Sequence, residues 1–320
     1  MTASASAADG TARLPGAHLK ELSRIEPARV ARAVALDWAV IGAALAMSLT
    51  LPAWGVVLAA IVVANRQYAL LLLVHEASHV LFSRDRERND RMANWTCAYP
   101  IGITVERYRE LHLDHHRHLG TVHDPDFDYY HGVITRGRLV WTIIAGAFGI
   151  RGILTLISYF LPRVAARYLP SLRDRPVPRA TSVSRLLGIA AAQLFLLGVF
   201  TLAGQPLLYF AVWLAPLLTL VPLANQLRTI AEHASPDESP ITRTILTGAA
   251  GRVLLAPVLF FYHHEHHLYP SVPFYHLPEL HRRLRESGHF DERPPVLAPS
   301  YVATLTALSH GHAPSAPTAP

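Results

Sequence analysis

Residues 52–79 read PAWGVVLAAIVVANRQYALLLLVHEASH. From Pro52 the segment is almost entirely apolar until it reaches His75 and His79. His75 follows Pro52 by 23 residues. A helix of that length extends about 35 Å, compared with about 30 Å for the hydrocarbon core of a bilayer. We therefore predict a helix that crosses a membrane and carries two histidines on one face just beyond its boundary.

The composition of the whole chain is that of a membrane protein. Of its 320 residues, 51% are hydrophobic and only 16% are charged, and the mean hydropathy is +0.23. A soluble domain carries about 25% charged residues. The apolar content excludes intrinsic disorder, collagen-like repeats and a coiled coil. A single cysteine, Cys97, excludes a disulfide framework, a zinc ribbon and a cysteine-ligated iron–sulfur cluster.

The net charge of +6 and the pI near 9.7 come from arginines that flank apolar segments. This pattern is typical of the cytoplasmic loops of membrane proteins. The sequence has no nucleic-acid-binding motif, so we expect no nucleic acid as a partner. Arginine outnumbers lysine 28 to 1, as in proteins from GC-rich bacterial genomes. We expect a multi-pass protein of the bacterial inner membrane.

Four apolar segments of helical length predict four transmembrane helices in two hairpins. They cover approximately residues 33–51, 53–74, 186–202 and 207–224. The turns inside the hairpins carry no charge, whereas the outer flanks are rich in arginine. The positive-inside rule therefore places both termini in the cytoplasm. We predict a cytoplasmic N-terminal tail over 1–32, a membrane domain over 33–290 and a Pro/Ala-rich C-terminal tail over 291–320.

Histidine is the unusual residue of this chain, with 19 copies, most of them in clusters. The first cluster has the spacing i, i+4, two others have the spacing i, i+3, i+4, and one isolated histidine follows the fourth apolar segment. On helices these spacings direct the imidazoles of each cluster to one side. Nine imidazoles are too many for one metal ion and suit two, and imidazole alone does not select among iron, copper, nickel and zinc. The candidates are His75, His79, His112, His115, His116, His233, His263, His266 and His267.

Two further apolar segments, 139–160 and 245–262, contain Arg151 and Arg252. If either segment crossed the membrane once, the histidine clusters would lie on opposite sides of it. Since all clusters must meet to form one site, we predict that both segments are interfacial or re-entrant helices.

The clusters resemble the three histidine boxes of the integral-membrane fatty acid desaturase family, whose members include sphingolipid desaturases, carotenoid ketolases and acyl or alkane hydroxylases. The resemblance covers approximately residues 60–290. It includes Glu76 in the first box, the run Asp124-Pro125-Asp126 after the second, and HHLYP at the end of the third. It implies an all-α membrane protein with four transmembrane helices in two hairpins and a cytoplasmic helical cap that holds a di-metal site.

The resemblance also implies two iron ions held by all nine histidines, with O₂ as co-substrate. In the family, an asparagine four residues before the isolated histidine completes the site through water. Here that position is Thr229, and Asn225 lies eight residues before His233. The tenth ligand is therefore left unassigned. His264 is a second departure, because relatives often have asparagine or another polar residue there.

We expect an O₂-dependent membrane oxidoreductase that introduces a double bond into a long acyl chain carried as an acyl lipid, acyl-CoA or acyl-carrier protein. Hydroxylation, ketolation and acetylenic-bond formation are alternatives on the same site, because they differ in which hydrogen lies near the oxidant and in whether oxygen rebounds. A membrane zinc hydrolase is a remote alternative that needs one metal and a general base. The sequence has no Rossmann motif, cysteine cluster or fused haem domain, so we expect an external electron donor such as ferredoxin or cytochrome b5.

Several polar residues leave two interpretations open. Arg66 either pairs with Asp37 across the first hairpin, which we favour, or lines a substrate channel with Asn65 and Gln67. Four carboxylates next to candidate ligands either orient the imidazoles or are solvated charges. These are Glu76, Asp114, Glu232 and Glu265.

For the remaining polar residues near the boxes, we favour simpler structural interpretations. Asp124, Asp126 and Asp128 either form hydrogen bonds in the cap or belong to an Asx turn around Pro125, which we favour. His118 and His123 lie off the spacing of the second box, and we expect His276 and His281 to have structural roles in an amphipathic helix.

Overall fold

The computed structural model describes residues 14–161, 163–164, 167, 181–255, 257–290 and 296–314. These residues are mostly helical. In chain order the α-helices are α1 (Gly16–Leu22), α2 (Pro27–Thr50), α3 (Ala53–Ser78), α4 (Arg86–Ala93), α5 (Val105–His118), α6 (Phe127–Tyr130), α7 (Arg136–Ala147), α8 (Ile150–Phe160), α9 (Val183–Leu202), α10 (Pro206–His233), α11 (Ala249–Leu254), α12 (His263–Leu268), α13 (Leu277–Glu286) and α14 (Tyr301–Ser309). Helix α10 includes a π-helical stretch at Tyr209–Leu214, and another follows α4 at Asn94–Ala98. Short 3₁₀ turns lie at Tyr99–Ile101, Pro257–Leu259 and Phe274–His276.

Within the described ranges, four helices are long and apolar enough to cross a membrane, as predicted: α2, α3, α9 and α10. Their bounds are wider than the apolar runs suggested. Helix α2 begins at Pro27, where the fixed φ of proline suits the first helical turn. Helices α3 and α10 continue past their apolar segments to Ser78 and His233, so candidate ligands stand on their last turns.

The segment 139–160 is not one straight helix. Helices α7 and α8 meet at a bend of 75°, where Gly149 has a φ of 73° that favours glycine. Helix α7 has 12 residues and α8 has 11, so each is shorter than the roughly 20 residues that a crossing requires. Gly152 brings α8 against the backbone of α10, since a Cβ built there would lie 2.1 Å from the carbonyl oxygen of Leu218.

The prediction of an interfacial or re-entrant helix over 245–262 is wrong in its extent. Strand β1 (Thr244–Ile245) pairs in parallel with β2 (Leu297–Ala298), and the helix that follows, α11, has only six residues. The amide of Leu246 donates to the carbonyl of Ala298, which commits this backbone to the strand pairing instead of a helix.

The two predicted tails also differ from the structure where it describes them. Leu14 and Leu22 are buried, so the N-terminal region packs on the membrane domain before residue 33. At the other end, β2 and α14 join the fold, and Tyr301 is 1% exposed. Apolar residues between the prolines of this segment supply a packing face that its overall composition concealed.

Helix α5 lies against the end of α3, and Arg109 holds the two together. Its Nε donates to the carbonyl of Ser78 over 2.7 Å, and Nη2 donates to the carbonyl of Ala77 over 2.8 Å. The last carbonyls of a helix lack intrahelical partners and favour a cation. Asp90 neutralises the buried guanidinium by accepting from both of its terminal nitrogens. The first and second histidine boxes are thereby fixed against each other.

Arg66 pairs with Asp37, as the favoured interpretation predicted. Nη1 of Arg66 donates to Oδ1 of Asp37 over 2.9 Å between α3 and α2. Asn65 donates instead to the carbonyl of Val253, and Gln67 to the carbonyl of Trp213. These polar side chains therefore tie helices together.

We expect Arg66→Asp and Asp37→Arg each to lower the free energy of unfolding by about 3–5 kcal/mol, because each leaves like charges buried together. The double swap should recover most of that loss, measured as denaturation in detergent. A double variant no more stable than the weaker single variant would contradict the pairing.

Candidate metal centre

The nine candidate histidines come from four helix segments that meet at one place. His75 stands on the last turn of α3 and His79 is the residue that ends that helix. Helix α5 carries the second box, α10 ends at His233, and α12 carries the third box. Helix ends and short helices thus bring together residues that lie up to 192 positions apart in the sequence, from 75 to 267.

The structure sorts these side chains into two groups, within each of which one ligand atom per residue lies within 4.8 Å of the others. The first group is His75, His79, His112, His116 and His266. The second group is His115, His233, His263 and His267. The groups adjoin, because the rings of His116 and His267 stack with their centroids 4.2 Å apart.

The second and third boxes contribute to the groups in a reciprocal way. The i and i+4 residues of the second box, His112 and His116, join the first group, whereas the i+3 residue His115 joins the second. In the third box, His263 and His267 join the second group and His266 joins the first. Each box therefore bridges both groups, which holds the groups at a fixed separation.

Within each group the Nε2 atoms point at one another. The Nε2 of His112 lies 2.9 Å from those of His79 and His116, and the Nε2 of His116 lies 3.0 Å from that of His266. In the second group, His263 Nε2 lies 2.8 Å from His233 Nε2 and 3.0 Å from His267 Nε2. Two nitrogens that each lie about 2.1 Å from one ion, at a right angle, are about 3.0 Å apart. The spacing therefore fits a shared cation.

Protons alone cannot satisfy such a cluster. A pair of facing nitrogens shares only one hydrogen, and each added imidazole leaves another buried lone pair facing the same point. Within the described part of the chain, neither ring nitrogen of His75 has a hydrogen-bond partner. Buried polar atoms are normally paired, so His75 fits the role of a metal ligand better than that of an ordinary buried side chain.

The electrostatics keep most of these rings neutral, which is the form that binds metal. Burial lowers the pKa of His116 to about 3, with a further contribution from His79 and His115. Burial also holds the pKa values of His112, His266 and His267 well below the usual range.

His115 is the exception, and Asp124 is the cause. Burial acts to lower the pKa of His115, but the hydrogen bond to Asp124 and the charges of Asp126 and Asp124 outweigh it, so the pKa is raised. Nδ1 of His115 donates to Oδ1 of Asp124 over 2.9 Å, which directs Nε2 into the second group.

Asp124 is itself held in place. Its Oδ2 accepts from the hydroxyl of Tyr130, which in turn accepts from the amide of Gly120 over 2.9 Å. Its Oδ1 also accepts from the amide of Asp126 over 2.8 Å. The Asx turn that we favoured is therefore present, but the same carboxylate also orients a candidate ligand. In the sequence, the Asp-Pro-Asp run after the second box is the feature that could have indicated this role of Asp124 in orienting a ligand.

The four carboxylates beside the boxes serve packing more than ligand orientation. Glu76 accepts from the amide of Phe274 over 2.9 Å, and Glu265 accepts from Thr244 and from His281. Asp114 pairs with Arg117 on the surface of α5. Glu232 lies closest to a group, with Oε2 at 3.5 Å from His263 Nε2, but it also accepts from Arg228 over 2.7 Å.

Several other predicted residues lie outside the two groups. His264 contacts Thr242 through Nδ1 and His289 through Nε2, so it links α12 to the segment after α13. His281 binds Glu265 and has the structural role that we predicted. Thr229 is buried and donates to the carbonyl of Asn225 over 2.9 Å, so its hydroxyl hydrogen is committed to its own helix.

A cavity of about 970 Å³ reaches both groups and extends between α5, α8, α9 and α10. His112, His115, His233 and His263 stand in its wall. Apolar residues such as Leu154, Ile189, Leu214 and Val221 line much of the rest, and Arg107 at the start of α5 and Tyr159 near the end of α8 also stand in the wall. Such a volume holds a ligand with a long apolar portion.

The sequence of this chain is similar to a known protein family and to several known proteins. The model of the family described as Fatty acid desaturase matches residues 27–296. Dihydrorhizobitoxine desaturase of Bradyrhizobium elkanii is 28% identical over 294 residues, covering 84% of this chain and 80% of that protein. Sphingolipid delta(4)-desaturase DES1 of Drosophila melanogaster is 27% identical over 221 residues, or 68% of this chain and 63% of that protein. Beta-carotene ketolase of Paracoccus sp. (strain PC1) is 27% identical over 233 residues, or 68% and 74%.

Proposed function

Because this chain belongs to the fatty acid desaturase family, we propose that it is an O₂-dependent membrane oxidoreductase that introduces a double bond into a long acyl chain. Family membership supports an oxidoreductase in a membrane that acts on lipid-like substrates. The observation that carries the finer proposal is that two adjacent groups of histidines each contribute to the wall of one largely apolar cavity, the first through His112 and the second through His115, His233 and His263.

We propose that each histidine group holds one iron ion. When bound, these ions would supply the activation of dioxygen that removal of hydrogen from an unactivated C–H bond requires. The donors are all imidazoles in two separate groups, which argues against a hydrolase built on one tetrahedral zinc with a free carboxylate as general base. Glu232 and Glu265 are committed to other hydrogen bonds and cannot act freely as that base.

The protein's own contribution is to position the chain and to exclude water. The apolar walls from α8, α9 and α10 would bind the acyl chain beside His112 and His263. Tyr108 stacks on His112 with ring centroids 5.7 Å apart, so it fixes that imidazole from the cavity side. Which carbon lies nearest the histidines decides the position that is oxidised, and removal of a second hydrogen or insertion of oxygen decides between desaturation and hydroxylation or ketolation.

The topology that we propose has two hairpins, α2–α3 and α9–α10, with both termini and the histidine groups on the cytoplasmic side of a bacterial inner membrane. The substrate would be an acyl lipid, acyl-CoA or acyl-carrier protein. An external donor such as ferredoxin or cytochrome b5 would deliver electrons to the cytoplasmic helical cap. The arginines that flank the apolar helices support this orientation.

Metal content per chain tests this proposal most directly. We expect the detergent-purified protein, expressed with iron, to contain two iron ions per chain and to convert an acyl substrate to its unsaturated product under O₂ with a reductant. Anaerobic samples should give no product, and mass analysis would identify a hydroxylated or ketolated product if oxygen is inserted. One metal ion or none per chain, unchanged in His115→Ala, would refute the di-iron site.

A further inference from the structure

Arg107 is a buried cation in the cavity wall that the histidine groups do not use. It stands in the first turn of α5 and is 5% exposed. Its guanidinium lies 5.6 Å from the centre of the Tyr159 ring on α8, and both residues line the cavity. A buried charge destabilises a protein unless it is paired, so the partners of this guanidinium indicate what the site is for.

The pairing of Arg107 is incomplete. The hydrogen bond described for its guanidinium runs from Nη1 to Oε2 of Glu110 over 3.3 Å, and the Glu110 side chain is 41% exposed. The Nε atom is buried and has no hydrogen-bond partner among the described residues. Burial lowers the pKa of Arg107, and Glu110 opposes that effect without cancelling it.

Arg228, the cavity's other buried arginine near the histidines, also has an Nε without a partner among the described residues, but its charge is neutralised differently. Its Nη1 donates over 2.7 Å to Glu232, which is fully buried, so this pair is close and internally neutral. Arg107 has only a longer contact with a carboxylate that water screens. The guanidinium of Arg107 is therefore less fully neutralised than that of Arg228, and its Nε can still donate to an anionic ligand.

We propose that Arg107 binds the anionic head group of the substrate, a carboxylate or a phosphate, through its Nε–Nη2 edge. The planar guanidinium matches both groups in a two-point hydrogen-bonded pair. The apolar chain of the same molecule then follows the cavity wall towards the histidines. This inference rests on the proposed function for the statement that the bound molecule is the substrate.

Binding of three amphiphiles with the same chain tests the site without requiring catalysis. The probes are hexadecanoate, hexadecyl phosphate and the neutral hexadecanol, titrated by calorimetry into the full-length protein in detergent. We expect wild type to bind at least one anion more tightly than hexadecanol. Arg107→Gln should weaken anion binding about 10- to 100-fold and leave hexadecanol binding unchanged. The matched control is Arg117→Gln, an exposed arginine on the same helix that pairs with Asp114, and it should change neither.

Glu110→Gln is a second test variant. Its expected effect is an increase in anion affinity, which a misfolded protein would not show. The substitution removes the competing carboxylate and should tighten anion binding several-fold. The anion that binds more tightly identifies the head group as a carboxylate or a phosphate. Equal affinity of wild type for all three probes, or equal losses for anions and hexadecanol in Arg107→Gln, would overturn the proposal. Iron content and product formation, measured on the same preparations, report separately on the proposed function.

Discussion

Alanine in place of His79 or His233 is expected to reduce bound iron and to lower product formation by on the order of 10³-fold, equivalent to about 4 kcal/mol in the activation barrier. His79 belongs to the first group, of five histidines, and His233 belongs to the second group, of four histidines. If the two groups hold ions that act together, as we propose, loss of either ion should lower the rate to that extent. Iron per chain and initial rates of product formation would be measured on each variant.

The iron content of these variants distinguishes two sites from one. If each group holds its own ion, each variant should retain about one iron per chain, since the other group is intact. His118→Ala is the matched control, because His118 lies on α5 beside the second box but outside both groups and bonds to the carbonyl of Asp114. Loss of iron from His118→Ala equal to that from His79→Ala would mean that the grouping does not describe the metal centre.

Helix geometry explains why the site residues could be predicted from the sequence. Imidazoles at i, i+3 and i+4 must lie on one side of a helix, so each box is a local unit that forms wherever the helix forms. The long apolar run before His75 likewise predicts a membrane helix, because few other structures bury so many consecutive apolar residues. Both inferences use only local geometry, and the structure brings all nine predicted histidines together.

The division of the histidines between two groups could not be predicted in this way. In the second and third boxes the i+3 histidine joins a different group from its i and i+4 neighbours, and which group each joins depends on how α5 and α12 are oriented. That orientation is set by distant contacts, such as Arg109 on the end of α3 and Glu265 between Thr244 and His281. No local pattern records them.

Two other features depended on contacts between distant segments. Residues 245–262 are apolar enough for an interfacial helix, but pairing of β1 with β2, more than 50 residues away in the sequence, takes the backbone hydrogen bonds at the start of this segment, and helix α11 begins only at Ala249. The Pro/Ala-rich composition of residues 291–320 similarly concealed Tyr301, whose hydroxyl donates to Glu232 over 3.2 Å. Composition averages over a segment, whereas packing depends on individual side chains.

Asp124→Asn is expected to weaken iron binding and product formation about 10- to 100-fold, the usual cost of losing a partner that orients a metal ligand. In the wild type, one carboxylate accepts from His115, Tyr130 and the amide of Asp126. The asparagine side chain keeps one acceptor oxygen and has an NH₂ group in place of the other. That NH₂ group faces another donor, either His115 or Tyr130. His115 then loses the charge that raises its basicity and the contact that directs Nε2 towards the second group.

The comparison of three variants separates this orienting role from a general loss of stability. Tyr130→Phe keeps the carboxylate and removes one of its donors, so we expect a loss of iron affinity of less than about tenfold. Asp114→Asn makes the same carboxylate-to-amide change beside His115, where the carboxylate pairs with Arg117 on the surface, and should have little effect. Iron affinity would be measured by competition with a chelator, alongside thermal unfolding. If Asp124→Asn and Asp114→Asn bound iron equally well, the Asp124–His115 contact would have no part in holding the metal, and His115 would be oriented by the packing of α5 alone.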